Sequence, residues 1–400
     1  MDSGSVAWML AASALVLFMT PGLAFFYGGL VRGKNAISTV MYSFVAIGVV
    51  SVVWVLWGYS LAFGEGGPFI GNFDFLGFKD VASESDEGIP PMLFAIFQMM
   101  FAIITPALIT GAIAERFKFT TYLIFLVAWV TFVYAPIAHW VWASDGWLFE
   151  LGALDFAGGT VVHINAGVAA VAAAWLVGKR RGVDRGVEPH NVPFVILGAS
   201  ILWFGWFGFN AGSGLAADGL AVSAFLVTNT AAATALVVWL ILGHIHTGKM
   251  SAVGAATGAV AGLVAITPAS GFVGPMGSIA IGLGAGVLTF YAVRIRHKFG
   301  FDDALEVMAV HGIGGIWGAL ATGIFAVGGI GLIDGDAKVL GYNAVAVLST
   351  IAYSFVVTFV ILKILDVIPG LGLRADDAAE DAGLDVSLHG ERAYVGDGAD

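Results

Sequence analysis

The chain contains no cysteine, few charges and fewer basic than acidic residues, and each shortage narrows what it can be. Without cysteine there is no disulfide framework, and a large bundle needs none. Charged residues make up 11% of the 400, against 59% hydrophobic ones. Soluble domains carry about 25% charge, so a soluble globular protein is excluded. The 17 basic residues are outnumbered by 28 acidic ones, giving a net charge of −11 concentrated between Gly64 and Gly88 and after Arg374. That balance speaks against a nucleic-acid partner and against polybasic lipid anchoring. No basic segment precedes the first apolar run, which therefore reads as a retained helix and not a signal peptide. Neither HExxH nor GxSxG occurs, so no hydrolase or other enzyme signature is present. Every lysine maps to a loop or helix end, which disfavours a retinal-type pump, and no motif asks for a cofactor or a metal.

What the chain has instead is apolar length. Runs of about 20 residues are enough to cross roughly 30 Å of hydrocarbon. They recur along almost all of it and predict eleven membrane helices, starting near Val6, Ile37, Pro90, Thr120, Phe156, Phe194, Leu220, Ser251, Gly277, Ala304 and Tyr342. The 56 glycines suit closely packed membrane helices, and a barrel would alternate over segments of about ten residues instead. An all-α integral membrane fold follows, with residues 1–367 as the transmembrane domain and 368–400 as a polar tail. With eleven helices, Arg32 and Lys34, Arg116 and Lys118, Lys179 to Arg185, Lys249, and Arg294 to Lys298 fall on one face, and Lys79 and Lys338 on the other. Basic loops stay on the cytoplasmic side. The N-terminus is therefore expected outside, and the tail, with Arg374 and Arg392, in the cytoplasm.

Of the histidines, His190, His244, His246, His297 and His389 fall in loops or the tail, and His139, beside Trp140 and Trp142, reads as an interfacial anchor. His163 and His311 remain at membrane depth. One such histidine is as readily packing glue as a working group; the pair is more telling. Each lies about 10 Å inside a helix end, from opposite faces, in matching phrases: VHINAG at 162 and VHGIGG at 310, five helices apart. That pattern predicts an inverted five-plus-five repeat about an axis in the membrane plane, with the eleventh helix added. The depths put the rings roughly 10 Å apart, a gap that helix tilt can close. If the rings touch, one nitrogen donates and the other accepts, lining a path that offers hydrogen bonds to a small polar solute without a fixed charge. Two membrane histidines could also ligate haem in an electron carrier.

Longer phrases add a resemblance. PGLAFFYGGLVRGKN at 21, FQMMFAIITPALITGAIAERFKF at 97, DFAGGTVVHINAG at 155, WFGFNAGS at 206, GLVAITPASGFVGP at 262, HGIGGIWG at 311 and GLDVSLHGERAY at 383 span nearly the whole chain. They resemble the ammonium transporter family, its microbial Amt/Mep branch more than the Rhesus branch. The resemblance implies a homotrimer in the cell membrane, each subunit with its own narrow pore and the twin histidines His163 and His311 at its centre. It implies an outer ammonium site of Phe101, Trp142 and Ser213, flanked by Trp206, where aromatic faces attract a cation and a hydroxyl accepts an N–H. Without it these residues read as interfacial aromatics and a helix-end serine. Phe101 and Phe209 would stack as an apolar gate. Asp155 would act structurally and electrostatically, as an N-cap for the turn at Gly158 and Gly159. Thr267 is a weaker candidate for the inner pore or for a helix break at Pro268. Glu306 stands where relatives often have aspartate.

Potassium matches ammonium in size and charge but has no proton to lose, and an intact ion in a dry pore carries a large desolvation cost. The expected mechanism is that ammonium, or methylammonium, binds outside, loses its proton near the gate and passes as ammonia along the histidines, with net electrogenic uptake. A passive ammonia channel, or an ammonium sensor with little flux, is the alternative. In the tail, the family phrase falls on Gly383, Asp385, His389, Gly390, Glu391 and Tyr394. It implies a regulatory segment docked on the cytoplasmic face, where a PII-class signalling protein would block the pore. By composition alone the tail reads as a disordered acidic end. Membrane lipid is the remaining expected partner.

Overall fold

The computed structural model describes residues 2–394. Among the described residues there is no strand, only an isolated antiparallel bridge between Phe117 and Arg374. Ten helices among the described residues are long and apolar enough to cross a membrane. They are α1 (Ser3–Leu30), α2 (Gly33–Phe63), α3 (Pro91–Ile113), α4 (119–142, followed by the short helix Trp147–Leu151), α5 (Gly159–Val177), α6 (Val192–Gly212), α7 (Gly219–Thr247), α9 (Pro275–Ile295), α10 (Met308–Phe325) and α11 (Lys338–Val367). Between α7 and α9 lies a shorter apolar helix, α8 (Ala252–Ile266). All eleven predicted starts fall within four residues of these.

Helix α8 is the exception to full length. Its 15 residues reach about 22 Å, and Pro268, which has no N–H to donate, lies just beyond its end. Polar caps fix other starts: Asp2 accepts from Gly4 and Ser5 to open α1, Asp218 from Leu220 and Ala221 to open α7, and Ser251 from Gly254 to open α8.

Packing follows the repeat. Helix α1 lies along α6, and the start of α5 crosses the start of α10, so counterparts from the two halves meet each other at the centre. Helix α11 covers α5, and α7 holds α8 and α9. Large apolar side chains such as Trp175, Val222 and Leu348 face outwards, the distribution expected of a surface solvated by lipid.

His139 corrects one expectation. It is no interfacial anchor: its ring is fully buried, with Nδ1 3.0 Å from the Ala62 carbonyl oxygen and Nε2 2.6 Å from that of Gly67. It fastens α4 to the end of α2 and to the loop that follows.

The basic loops gather at one end of the bundle. Arg32 pairs with Glu115 at 2.6 Å and Arg180 with Asp302 at 2.8 Å, while the buried Arg116 donates to the carbonyls of Ala114, Gly178 and Asp302. Burial alone would raise the Asp302 carboxyl, but the hydrogen bonds and charge of Arg180 outweigh it and hold the group down to about 2. The tail is ordered on this same end through residue 394. Lys118 N donates to Leu373 O and Ala375 N to Arg116 O, and Arg374 pairs with Glu380. Lys34 Nζ reaches the carbonyls of Glu380 and Asp381. Asp385 accepts from the backbone of Ile37 and Ser38, near the start of α2. Gly383 takes φ +105° against Lys34, and Gly390 φ +69°. His389 packs edge-on against Phe119, with centroids 4.8 Å apart. Glu391 is exposed, and Tyr394 Oη lies 3.1 Å from His190 Nε2 and 3.0 Å from Asn191 Nδ2. A disordered acidic end is therefore not what residues 368–394 form.

Candidate functional site

The end of the bundle opposite the basic loops carries Trp142, Asp155 and Ser213. Trp142 closes α4 and its indole N–H donates to the Asp155 carbonyl at 2.9 Å. Its ring stands edge-on to Phe101 of α3, 5.8 Å between centroids at 87°. Phe101 in turn lies over Phe209 of α6, 4.2 Å apart and 32° inclined. Both phenylalanines are fully buried, so this pair is a plug two rings thick. Ser213, one turn beyond Phe209, donates its hydroxyl back to the Phe209 carbonyl at 2.9 Å, which leaves the oxygen's lone pairs to accept a further N–H.

Beneath the rings are the two histidines. His163 Nδ1 and His311 Nδ1 lie 3.3 Å apart and the imidazole centroids 5.3 Å. The separation by depth had suggested about 10 Å; the crossing of α5 and α10 closes it. A nitrogen–nitrogen hydrogen bond needs one donor and one acceptor, so the rings hold complementary tautomers. A haem held by both rings would need its macrocycle between the two nitrogens, and rings in direct contact leave no space for it. His163 Nε2 is buried with no partner among the described residues, a polar atom left for a solute.

Trp206 sits deeper than the vestibule flank expected of it. It is 2% exposed and stacks on His163 at 5.4 Å and 24°, with Phe209 also 5.4 Å away and itself 6.0 Å from His163. Its indole donates to Thr267 Oγ1 at 2.8 Å, and Thr267, capping the end of α8, donates on to Leu263 O. Thr267 thus ends α8 and fixes Trp206 with one hydroxyl.

The space around the pair is small and apolar. A cavity between α1, α3, α5, α6, α8 and α10 leaves about 10 Å³ for the centre of a water-sized molecule, walled by Met19, Leu23, Ile104, Val162, Leu202 and Val260 beside the histidines. That is room for about one molecule the size of water. From His311 a second cavity of about 650 Å³ opens towards the basic end, past Arg296 and Glu306, which pair at 2.7 Å. The path is shut by the phenylalanines on the Trp142 side and wide on the side of the basic loops.

Each histidine sits in a π-helical turn, Gly159–Ile164 in α5 and Met308–Ile313 in α10. The extra residue in such a turn re-aims the side chains that follow. Each turn is opened by a buried carboxylate eight residues before its histidine. Asp155 accepts from the backbone of Gly158 at 2.8 Å, Gly159 at 2.6 Å, Thr160 at 2.7 Å and Val161 at 3.3 Å, and from the Thr160 hydroxyl. Asp303 accepts from Val307 at 3.1 Å and Met308 at 2.7 Å; burial pushes its carboxyl up, against those two bonds. Sequence reasoning found Asp155 and missed Asp303, although the spacing D-x7-H is the same in both halves.

Known proteins agree with this architecture. A profile described as Ammonium Transporter Family matches residues 7–394. An ammonium transporter of Bacillus subtilis is 48% identical over 404 residues, covering 98% of this chain and 99% of that protein. Among solved structures, Candida albicans Mep2 superposes with a TM-score of 0.90 at 38% identity, over 94% of this chain and 87% of that one. A structure described as a sensor Amt protein gives 0.89 at 35%, over 96% and 98%. With the match running from α1 through the docked tail, the chain belongs to the ammonium transporter family.

Proposed function

We propose that the protein moves ammonium across the cell membrane by splitting it. Ammonium, or methylammonium, is held outside by the faces of Phe101 and Trp142 and by the Ser213 oxygen. It loses its proton near Phe101 and Phe209 and passes as ammonia along His163 and His311 into the wider cavity. The observation that carries this reading is the histidine pair itself: two buried rings at 3.3 Å in a cavity of about 10 Å³. Such a space offers hydrogen bonds to ammonia and no hydration shell to an ion.

Ammonia leaving as a neutral molecule accounts for discrimination against potassium, which cannot shed a proton. The histidine chain provides a proton route, so net uptake is electrogenic. In this reading the basic end, where the tail docks, is cytoplasmic, the tail regulates transport, and a PII-class protein is the partner that meets it. Three copies form the working particle; an apolar groove on each, with Trp8, Phe207 and Phe225, supports that assembly.

The test is an ammonium concentration jump on purified protein in sealed liposomes, with potassium and empty liposomes as controls. A saturable current selective for ammonium, abolished by His311→Ala, is the expected result. Internal alkalinisation without current would replace the electrogenic version by an ammonia channel. Binding without either response would favour a sensor, as one of the similar structures is named.

A further inference from the structure

The two halves share more than an aspartate and a histidine: four residues after each histidine stands a glycine, Gly167 in α5 and Gly315 in α10. DFAGGTVVHINAG and DALEVMAVHGIGG are one D-x7-H-x3-G phrase written twice. Each glycine packs against the other half's histidine segment. A Cβ on Gly167 would come within 2.5 Å of the Gly312 Cα and 3.1 Å of the His311 carbonyl carbon. One on Gly315 would meet the His163 Cβ and the Gly159 carbonyl oxygen, each at 3.1 Å, and Ile164 Cγ1 at 3.0 Å. The contacts are reciprocal, as an isologous arrangement about a two-fold axis requires.

The two contacts differ in what can give way. Opposite Gly167 the obstacle is backbone, two residues of α10 including the carbonyl carbon of His311 itself, so a methyl group there must move the helix. Opposite Gly315 the distances are looser and one obstacle is an isoleucine tip. Ordinary helix packing has interaxial distances of 8–10 Å; a glycine on each side lets these two segments approach backbone to backbone, and that approach fixes where the two imidazoles stand.

We infer that Gly167 and Gly315 are positioning residues for the histidine relay: reciprocal contacts that set the His163–His311 separation. This rests on the reading that the relay carries transport. A methyl group at Gly167 parts the helices and opens the nitrogen–nitrogen contact, while Phe101, Trp142 and Ser213, on α3, at the end of α4 and just after α6, are left in place. The expected signature is therefore a loss of maximal rate with little change in the ammonium concentration giving half-maximal current.

The experiment compares Gly167→Ala, Gly315→Ala and His311→Ala with the unsubstituted protein, as ammonium current per folded particle in liposomes. Gly48→Ala serves as control, because its Cβ meets nothing within 4 Å. Gly167→Ala should lose maximal current on the order of 10²-fold, the scale on which an ångström of misplacement acts, and Gly315→Ala about tenfold. Half-saturation should stay within about twofold in both. Nitrogen-15 spectra of the histidines should show the contact broken in Gly167→Ala and kept in Gly48→Ala. If Gly167→Ala does not fold, the milder Gly315→Ala decides alone. Maximal currents at the control level in both glycine variants, with His311→Ala inactive, would overturn the inference and leave the relay standing. Full current in His311→Ala would instead overturn the relay on which the inference depends.

Discussion

The two histidine segments, in α5 and α10, begin alike and end in different surroundings. Both have a buried carboxylate, a π turn, an imidazole and a glycine at the same spacing. Around His163 the neighbours are rings: Trp206, Phe209 and, beyond them, Phe101 and Trp142. Around His311 the walls fall away into a cavity of about 650 Å³ bearing Arg296 and Glu306. In the proposed mechanism the shared part builds the relay and the unshared part gives it direction: aromatic faces would collect and strip a cation on one side, and a polar mouth would release the product on the other.

The sharpest way to break the comparison is to remove either imidazole. If the pair works as a unit, His163→Ala and His311→Ala each cost at least about 10²-fold in ammonium current, and the double variant costs little more, since coupled residues are not additive. A double-variant loss equal to the product of the two would mean that the histidines act separately.

Next come the carboxylate caps. Asp155 accepts four backbone N–H groups and a hydroxyl, Asp303 only two N–H groups. Each buried donor left without a partner costs about 1–3 kcal/mol. Thermal unfolding in detergent should therefore show Asp155→Ala as the more destabilised of the two. Equal losses would remove the difference between the two caps.

Acid should act on the basic end through Asp302. The Asp302 carboxyl is held down to about 2 by Arg180. A depressed carboxylate contributes stability that is present above its ordinary value of 3.8 and is lost as pH falls through 2. The contribution is about 2 kcal/mol, and it should be missing from the pH dependence of unfolding in Asp302→Asn. Thr267→Val is the smallest change: it leaves the Trp206 indole unpartnered at a cost of about 1 kcal/mol. It should leave half-saturation by ammonium within about twofold, because Trp206 supports His163 and not the outer cation. A large rise in half-saturation would return Trp206 to the vestibule.

Much of this was legible in the sequence because hydropathy is local. A run of about 20 apolar residues declares a span wherever it occurs, and the matched phrases around His163 and His311 declared the repeat. What escaped were contacts between residues far apart in the chain. His139 looked interfacial because its neighbours are tryptophans; its carbonyl partners at Ala62 and Gly67 lie more than 70 residues away. The order of the tail depends on α2 and α4, through Asp385 on Ile37 and His389 on Phe119, which composition cannot register. The placement of Trp206 depends on Thr267, 61 residues on. The π turns leave no trace in hydropathy, since one extra residue per turn changes register and not composition. Asp303 did leave a signal, the repeated D-x7-H spacing, which only a comparison of the halves brings out.

The central claim is that ammonium is split, its nitrogen and its charge both crossing the membrane. Its most direct test measures both in the same liposomes: labelled methylammonium taken up, and charge moved, under an imposed gradient. The account predicts one charge per methylammonium and no current when potassium replaces it. Uptake with no charge, or a potassium current of similar size, would contradict it.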